Sequence, residues 1–122
     1  HLVHPYDDET VIAGQGTACF EALNDLQAEL PDAVFAACGG GGLLSGSWLA
    51  TQYLAPEVKV IGAEPALAND AHQSLEKGQI VRLPDTPKTI ADGARTLAIA
   101  PRTFAHLKQL SGFYEAEEKE II

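Results

Sequence analysis

The chain has 122 residues, a formal net charge of −9, 46% apolar residues and 20% charged ones. That length suits one α/β domain over residues 1–122, and the composition excludes a disordered chain. The acidic balance argues against nucleic acid or an anionic membrane surface as partner, and no apolar run reaches the roughly eighteen residues of a membrane span.

His1 to Pro5 is short enough for an edge strand, and Tyr6-Asp7-Asp8-Glu9 reads as a polar turn. Val11-Ile12-Ala13 leads into Gly14-Gln15-Gly16-Thr17. Thr17 suits a helix N-cap, because its hydroxyl can accept an amide hydrogen bond two or three residues on. Phe20, Leu23, Leu26 and Leu30 then recur at helical spacing, until Pro31-Asp32 ends the pattern. Ala33 to Cys38 is evenly apolar and reads as a buried strand.

Cys38-Gly39-Gly40-Gly41-Gly42-Leu43 follows, and a helix is expected from Leu43 to Leu54, stopped by Pro56. Strand, glycine turn, helix is an arrangement that binds phosphate. Glycine permits positive φ and close backbone approach, so several N–H groups can converge. The helix N-terminus adds about half a positive charge. An anion can be held there without Lys or Arg, and neither occurs between Asp32 and Ala55. A flexible linker or a plain tight turn is the alternative. No Lys-Ser/Thr pair follows the glycines, so this is not a Walker A loop, and a dinucleotide fingerprint is matched only loosely, through Glu64.

Val58 to Ala63 reads as a second buried strand. With the first strand and the intervening helix it makes a right-handed βαβ unit with parallel strands. Ligands of such sheets bind beyond the strand C-termini, where the glycines and Glu64 both lie. Ala66 to Lys77 is a third helical segment ended by Gly78, and Gln79 to Thr86 is irregular. Thr89-Ile90-Ala91-Asp92-Gly93 is a compact turn, Pro101 to Leu110 a helix, and Phe113 to Glu115 a short strand. Glu117 to Ile122 resembles the start of a helix. With a first residue that is not Met, this suggests a segment of something longer. Cys19 and Cys38 lack metal-ligand spacing and read as reduced thiols of a cytoplasmic protein. The fold class is thus α/β, an open parallel sheet with flanking helices in three Rossmann-like layers.

Three motifs stand in order: Pro5-Tyr6-Asp7-Asp8 with Val11-Ile12-Ala13-Gly14-Gln15-Gly16-Thr17, then Gly39 to Leu43, then Thr89-Ile90-Ala91-Asp92-Gly93. Together they closely resemble the threonine dehydratase and serine racemase family, fold-type II enzymes that use pyridoxal 5′-phosphate (PLP). The resemblance covers the whole chain. It implies that Gly39, Gly40, Gly41, Gly42 and the amide of Leu43 form the cup for the PLP phosphate, and that Gly93 lies beside the cofactor ring. It implies a divalent-cation loop, with Glu64, the Ala68 carbonyl and Asp70 binding Mg²⁺ or Ca²⁺. Two carboxylates flanking a strand-to-helix turn suit such hard cations, although solvated turn and cap residues have the same spacing. It further implies a dehydratase or racemase acting on a small hydroxyamino acid.

The family's PLP-bearing lysine stands in an upstream Ser/Thr-Phe-Lys motif that is absent here, and Lys59, Lys77, Lys88, Lys108 and Lys119 match no such motif. The chain therefore resembles the phosphate-binding half of the large domain, without a catalytic residue of its own. Such a half is expected to expose apolar side chains, with Phe20, Leu43, Trp48 and Phe104 as candidates, and to form a homo-oligomer. The alternative is a stand-alone, non-catalytic module that binds a phosphate ligand or a partner.

Overall fold

The computed structural model describes residues 1–122. Helix α1 spans Glu9–Asp25. Its N-cap is Asp8, whose carboxylate accepts from the amides of Thr10 at 2.8 Å and Val11 at 3.1 Å. The helix thus begins well before Thr17, which lies inside it and donates its hydroxyl to the Gly14 carbonyl. Gly14 and Gly16 are helical residues rather than a turn. The reason is packing: a Cβ on Gly16 would sit 2.6 Å from the Gly46 carbonyl oxygen of the next helix. Small residues let these two helices touch backbone to backbone, which outweighs the modest helix cost of glycine. The expected edge strand at His1–Pro5 is not formed, and α1 stops at Asp25 rather than running to Leu30.

Strand β1 is Ala33–Ala37, helix α2 is Gly42–Leu54 and strand β2 is Lys59–Pro65. A single 3-10 turn, Ala66–Ala68, precedes helix α3, Asp70–Lys77, so the expected third helix is broken at Asn69. Gly78 ends α3 with φ +68°. A second 3-10 turn covers Asp92–Ala94. Helix α4, Pro101–Leu107, carries Pro at its start, where a missing N–H does no harm. Strand β3 is Gly112–Ala116, and α5 is Glu118–Ile121.

The sheet is parallel throughout, in the order β1-β2-β3. β1 pairs from Ala33↔Lys59 to Ala37↔Ala63, and β2 pairs from Ile61↔Gly112 to Pro65↔Ala116. One buried cluster joins Cys38, Leu44, Val60, Ala71, Ile99 and Leu107, with Trp48, Leu75, Phe104 and Phe113 packed against it. A second joins Cys19, Leu23, Ala50, Ala55 and Val58. Helices α2, α3 and α4 therefore share the sheet face that carries Ala36, Val60 and Phe113, and α1 lies on α2.

The opposite sheet face is only partly covered. Side chains alternate along a strand, so Phe35, Ile61, Ala63 and Tyr114 point that way. Phe35 is 66% exposed. Both strands were expected to be buried; β1 is not, because these residues supply little packing beyond Ala91, Ala94 and Ile121 at the C-terminal end of that face. Of the expected exposed side chains, Phe20 and Leu43 are exposed, while Trp48 and Phe104 pack on the core.

Candidate functional site

The C-terminal end of β1 runs straight into the glycine loop. Cys38 still pairs with the sheet, its amide donating to the Ala63 carbonyl at 2.7 Å. After it the chain must turn sharply to enter α2. Gly41 is the N-cap of α2 and has φ +91°, a left-handed conformation that side chains disfavour. A Cβ on Gly41 would also sit 2.9 Å from Thr103 Cβ, and one on Gly40 would enter the Tyr6 ring. A Cβ on Gly39 would lie 3.0 Å from the Gly93 carbonyl oxygen. Among loop and cap hydrogen bonds, none is donated by an amide from Gly39 to Leu43. These donors lie at the positive end of a 13-residue helix.

The loop borders a cavity of about 550 Å³ that Gly39, Gly40, Gly41, Gly42, Leu43 and Gly93 all line. The structure thus brings together every residue expected at the cofactor, from two segments fifty residues apart in sequence (Leu43 and Gly93 are the nearest pair). Pro5, Tyr6, Gln15, Ala37, Ala91, Ala94 and Thr96 complete the lining. No lysine is among these residues.

Glu64, Ala68 and Asp70 lie behind the loop. Glu64 is 3% exposed and Asp70 1%, and Ala68 is buried. The Glu64 Oε1 accepts from the His72 amide at 2.7 Å, while Glu64 Oε2 and Asp70 Oδ2 have no partner. Burial pushes the Glu64 carboxyl up to about 8, against the opposing His72 amide and with reinforcement from Asp70. Burial likewise pushes Asp70 up to about 6. The Cys38 thiol is raised well above its ordinary range by burial, with Glu64 and Asp70 adding to the effect. No group of three or more His, Cys, Asp or Glu side chains is placed to hold a metal ion; the expected cation set counts two such side chains, Glu64 and Asp70, and the Ala68 carbonyl.

Comparison with known proteins bears on this geometry. The sequence model of the family described as pyridoxal-phosphate dependent enzymes matches residues 1–122. The chain belongs to this family. Serine racemase of Schizosaccharomyces pombe is 49% identical over 122 residues, covering 99% of this chain and 37% of that protein. L-threo-3-hydroxyaspartate ammonia-lyase of Saccharomyces cerevisiae is 50% identical over 108 residues, 88% of this chain and 32% of the relative. The crystal structure of T.th. threonine deaminase is similar with a TM-score of 0.92 at 47% identity, covering 97% of this chain and 44% of that one. The chain therefore spans about a third to under a half of the length of these relatives.

Sequence reasoning passed over Tyr6 and Gln15 as cavity residues. Tyr6 stood in a quoted motif, but as part of a turn. Gln15 stands ahead of the helix expected to begin at Thr17, and only its place inside α1 turns it toward the loop. A Cβ on Gly42 would lie 3.6 Å from Gln15 Nε2.

Proposed function

We propose that this chain is the phosphate-binding half of a PLP-dependent dehydratase, ammonia-lyase or racemase that acts on a small hydroxyamino acid. The observation that carries this reading is the set of free amides at the start of α2, in a loop where side chains would clash. Those amides and the helix dipole hold the cofactor phosphate without a cation side chain. Gly93 and its neighbours Ala91 and Ala94 form the flat wall beside the ring. PLP at such a site supplies an electron sink for negative charge at the substrate Cα. The lining holds no lysine, so the covalent attachment of the cofactor falls to a residue elsewhere in the parent protein. The same absence keeps the non-catalytic phosphate-binding module as the second reading.

The test is Gly41→Asp in the full-length protein. A side chain at φ +91° and a negative charge among the amides are expected to abolish PLP binding by calorimetry. Unchanged affinity refutes the cup.

The cation belongs to this proposal as well. Two buried carboxylates with orphan oxygens need a proton or a positive partner. Glu64, Asp70 and the Ala68 carbonyl offer all-oxygen ligation to Mg²⁺ or Ca²⁺, with water completing the shell. Ca²⁺ is then expected to raise the melting temperature, and Asp70→Ala to remove the rise. No shift at saturating metal speaks for the protonated pair instead.

Two further features support a segment that works inside a larger assembly. The outer edges of β1 and β3 are unpaired, and Phe35 on β1 and Tyr114 on β3 are exposed on the open sheet face. Cover comes either from the rest of the parent chain or from a second copy in a homo-oligomer. The thiols of Cys19 and Cys38 are both buried and unpaired, which fits the reducing cytoplasm.

A further inference from the structure

The glycine loop has no side chains with which to hold its own shape. Glycine loses more conformational freedom on ordering than any other residue, so a preorganised cup of four needs outside support. Tyr6 supplies part of it. Its ring lies against Gly40 so closely that no Cβ fits between them, and its Cβ is 3.2 Å from where Gly42 would carry one. Its phenol donates to the Ala98 carbonyl at 3.1 Å. From Ala98 the chain runs directly into α4, where Thr103 Oγ1 accepts from the Ala100 amide at 3.1 Å. Thr103 is also the residue that packs under Gly41. The loop is thus gripped between Tyr6 and Thr103, and both are tied to the same stretch, Ala98 to Thr103.

That stretch and the Tyr6 segment are each anchored. The Leu83 amide donates to the Leu97 carbonyl at 2.8 Å. His4 Nδ1 accepts from the amides of Tyr6 at 3.3 Å and Asp7 at 2.8 Å. Asp7 pairs with Arg102 of α4 at 3.2 Å, and Asp8 caps α1. Tyr6 is therefore held from both sides. A tyrosine suits the task, since its ring is large and rigid and its half-buried hydroxyl needs a partner. Burial raises its phenol above the ordinary range, so it stays a neutral donor.

We propose that Tyr6 is a positioning residue for the cofactor phosphate: it clamps the Gly39–Gly42 loop toward α4 and holds the amides in converging geometry. The inference rests on the phosphate-cup reading above. Hydroxyl and ring contribute separately, the hydroxyl through Ala98 and the ring through direct contact with Gly40 and Gly42.

The experiment uses the full-length enzyme with Tyr6→Phe, Tyr6→Ala and Gly41→Asp. PLP affinity is measured by titrating the apoenzyme. The ³¹P resonance of the bound cofactor and the melting temperature of the apoenzyme are recorded alongside. Loss of one net hydrogen bond predicts about five-fold weaker PLP binding in Tyr6→Phe, and loss of the ring as well predicts about thirty-fold in Tyr6→Ala. Both variants are expected to shift the ³¹P resonance, while Tyr6→Phe lowers apoenzyme melting by no more than a few degrees. Tyr6→Ala affinity within about two-fold of the original, beside a Gly41→Asp protein that binds no PLP, overturns the inference alone. Weaker binding with an unmoved ³¹P resonance also overturns it, because the phosphate environment is then intact. A Gly41→Asp protein that still binds PLP overturns the cup itself, and Tyr6 with it.

Discussion

Replacing Glu64 by glutamine is expected to remove a large part of the pH dependence of stability in metal-free buffer. Glu64 is buried, with one oxygen on the His72 amide and the other without a partner. Burial raises its carboxyl from the ordinary value of about 4.3 to about 8. A raised acid binds its proton more tightly in the folded state than in the unfolded one. Its contribution is therefore complete below about pH 4 and is lost as pH rises toward about 8. At neutral pH nearly three of those pH units have been crossed. At about 1.4 kcal/mol per unit this group alone takes away about 3 to 4 kcal/mol, an order-of-magnitude figure. Asp70, raised to about 6, acts in the same direction over a lower window, and the pair is coupled, so the two losses do not simply add. Glutamine keeps the shape and the acceptor for His72 but cannot ionise. Urea unfolding across this pH range, with chelator present, compares the two proteins. The original chain is expected to lose about 3 kcal/mol more than Glu64→Gln, or roughly 10 °C in melting temperature for a domain of this size. Curves that run parallel within about 0.5 kcal/mol refute the argument, and mean that Glu64 stays solvated or paired in solution.

Gly46→Ala is expected to destabilise the fold by about 1 to 3 kcal/mol, because its Cβ would enter the Ile12 carbonyl and the Gly16 backbone; a lower urea midpoint at unchanged slope checks it. Asp8→Ala removes the carboxylate that caps Thr10 and Val11 and should cost about 1 kcal/mol in the same assay, against no change if Thr17 were the cap. Sedimentation of the 122-residue chain at micromolar concentration should show self-association, weakened by Phe35→Ser; a clean monomer with sharp melting would mean that these residues close their own core.

The elements that could be read directly were those with strong local signals. Ala33–Cys38 and Val58–Ala63 stand out as short, mostly apolar runs and overlap the strands Ala33–Ala37 and Lys59–Pro65, and Gly42–Leu54 sits between a glycine run and a proline. Gly78 marks the end of α3 because no other residue adopts its φ of +68° so cheaply. The start of α1 was misread for a physical reason. Gly14 and Gly16 have the composition of a turn, and only the contact of Gly16 with Gly46 explains glycines inside a helix. The 3-10 break at Ala66–Ala68 was likewise hidden, since the sequence there has helical spacing throughout.

The sequence by itself determined which donors the loop can offer: four glycines between a strand and a helix carry no side chains, so only main-chain amides are available there. It also determined the family, through motifs whose order survives without any knowledge of contacts. Tertiary structure decided the rest. It brought Gly93 beside Gly39, set Tyr6 over Gly40, and buried Glu64 and Asp70 deeply enough to raise both carboxyls. It also left Phe35 in the open on a strand that reads as core. Those outcomes depend on which segments pack together across the chain, and burial is a property of the neighbours rather than of the residue.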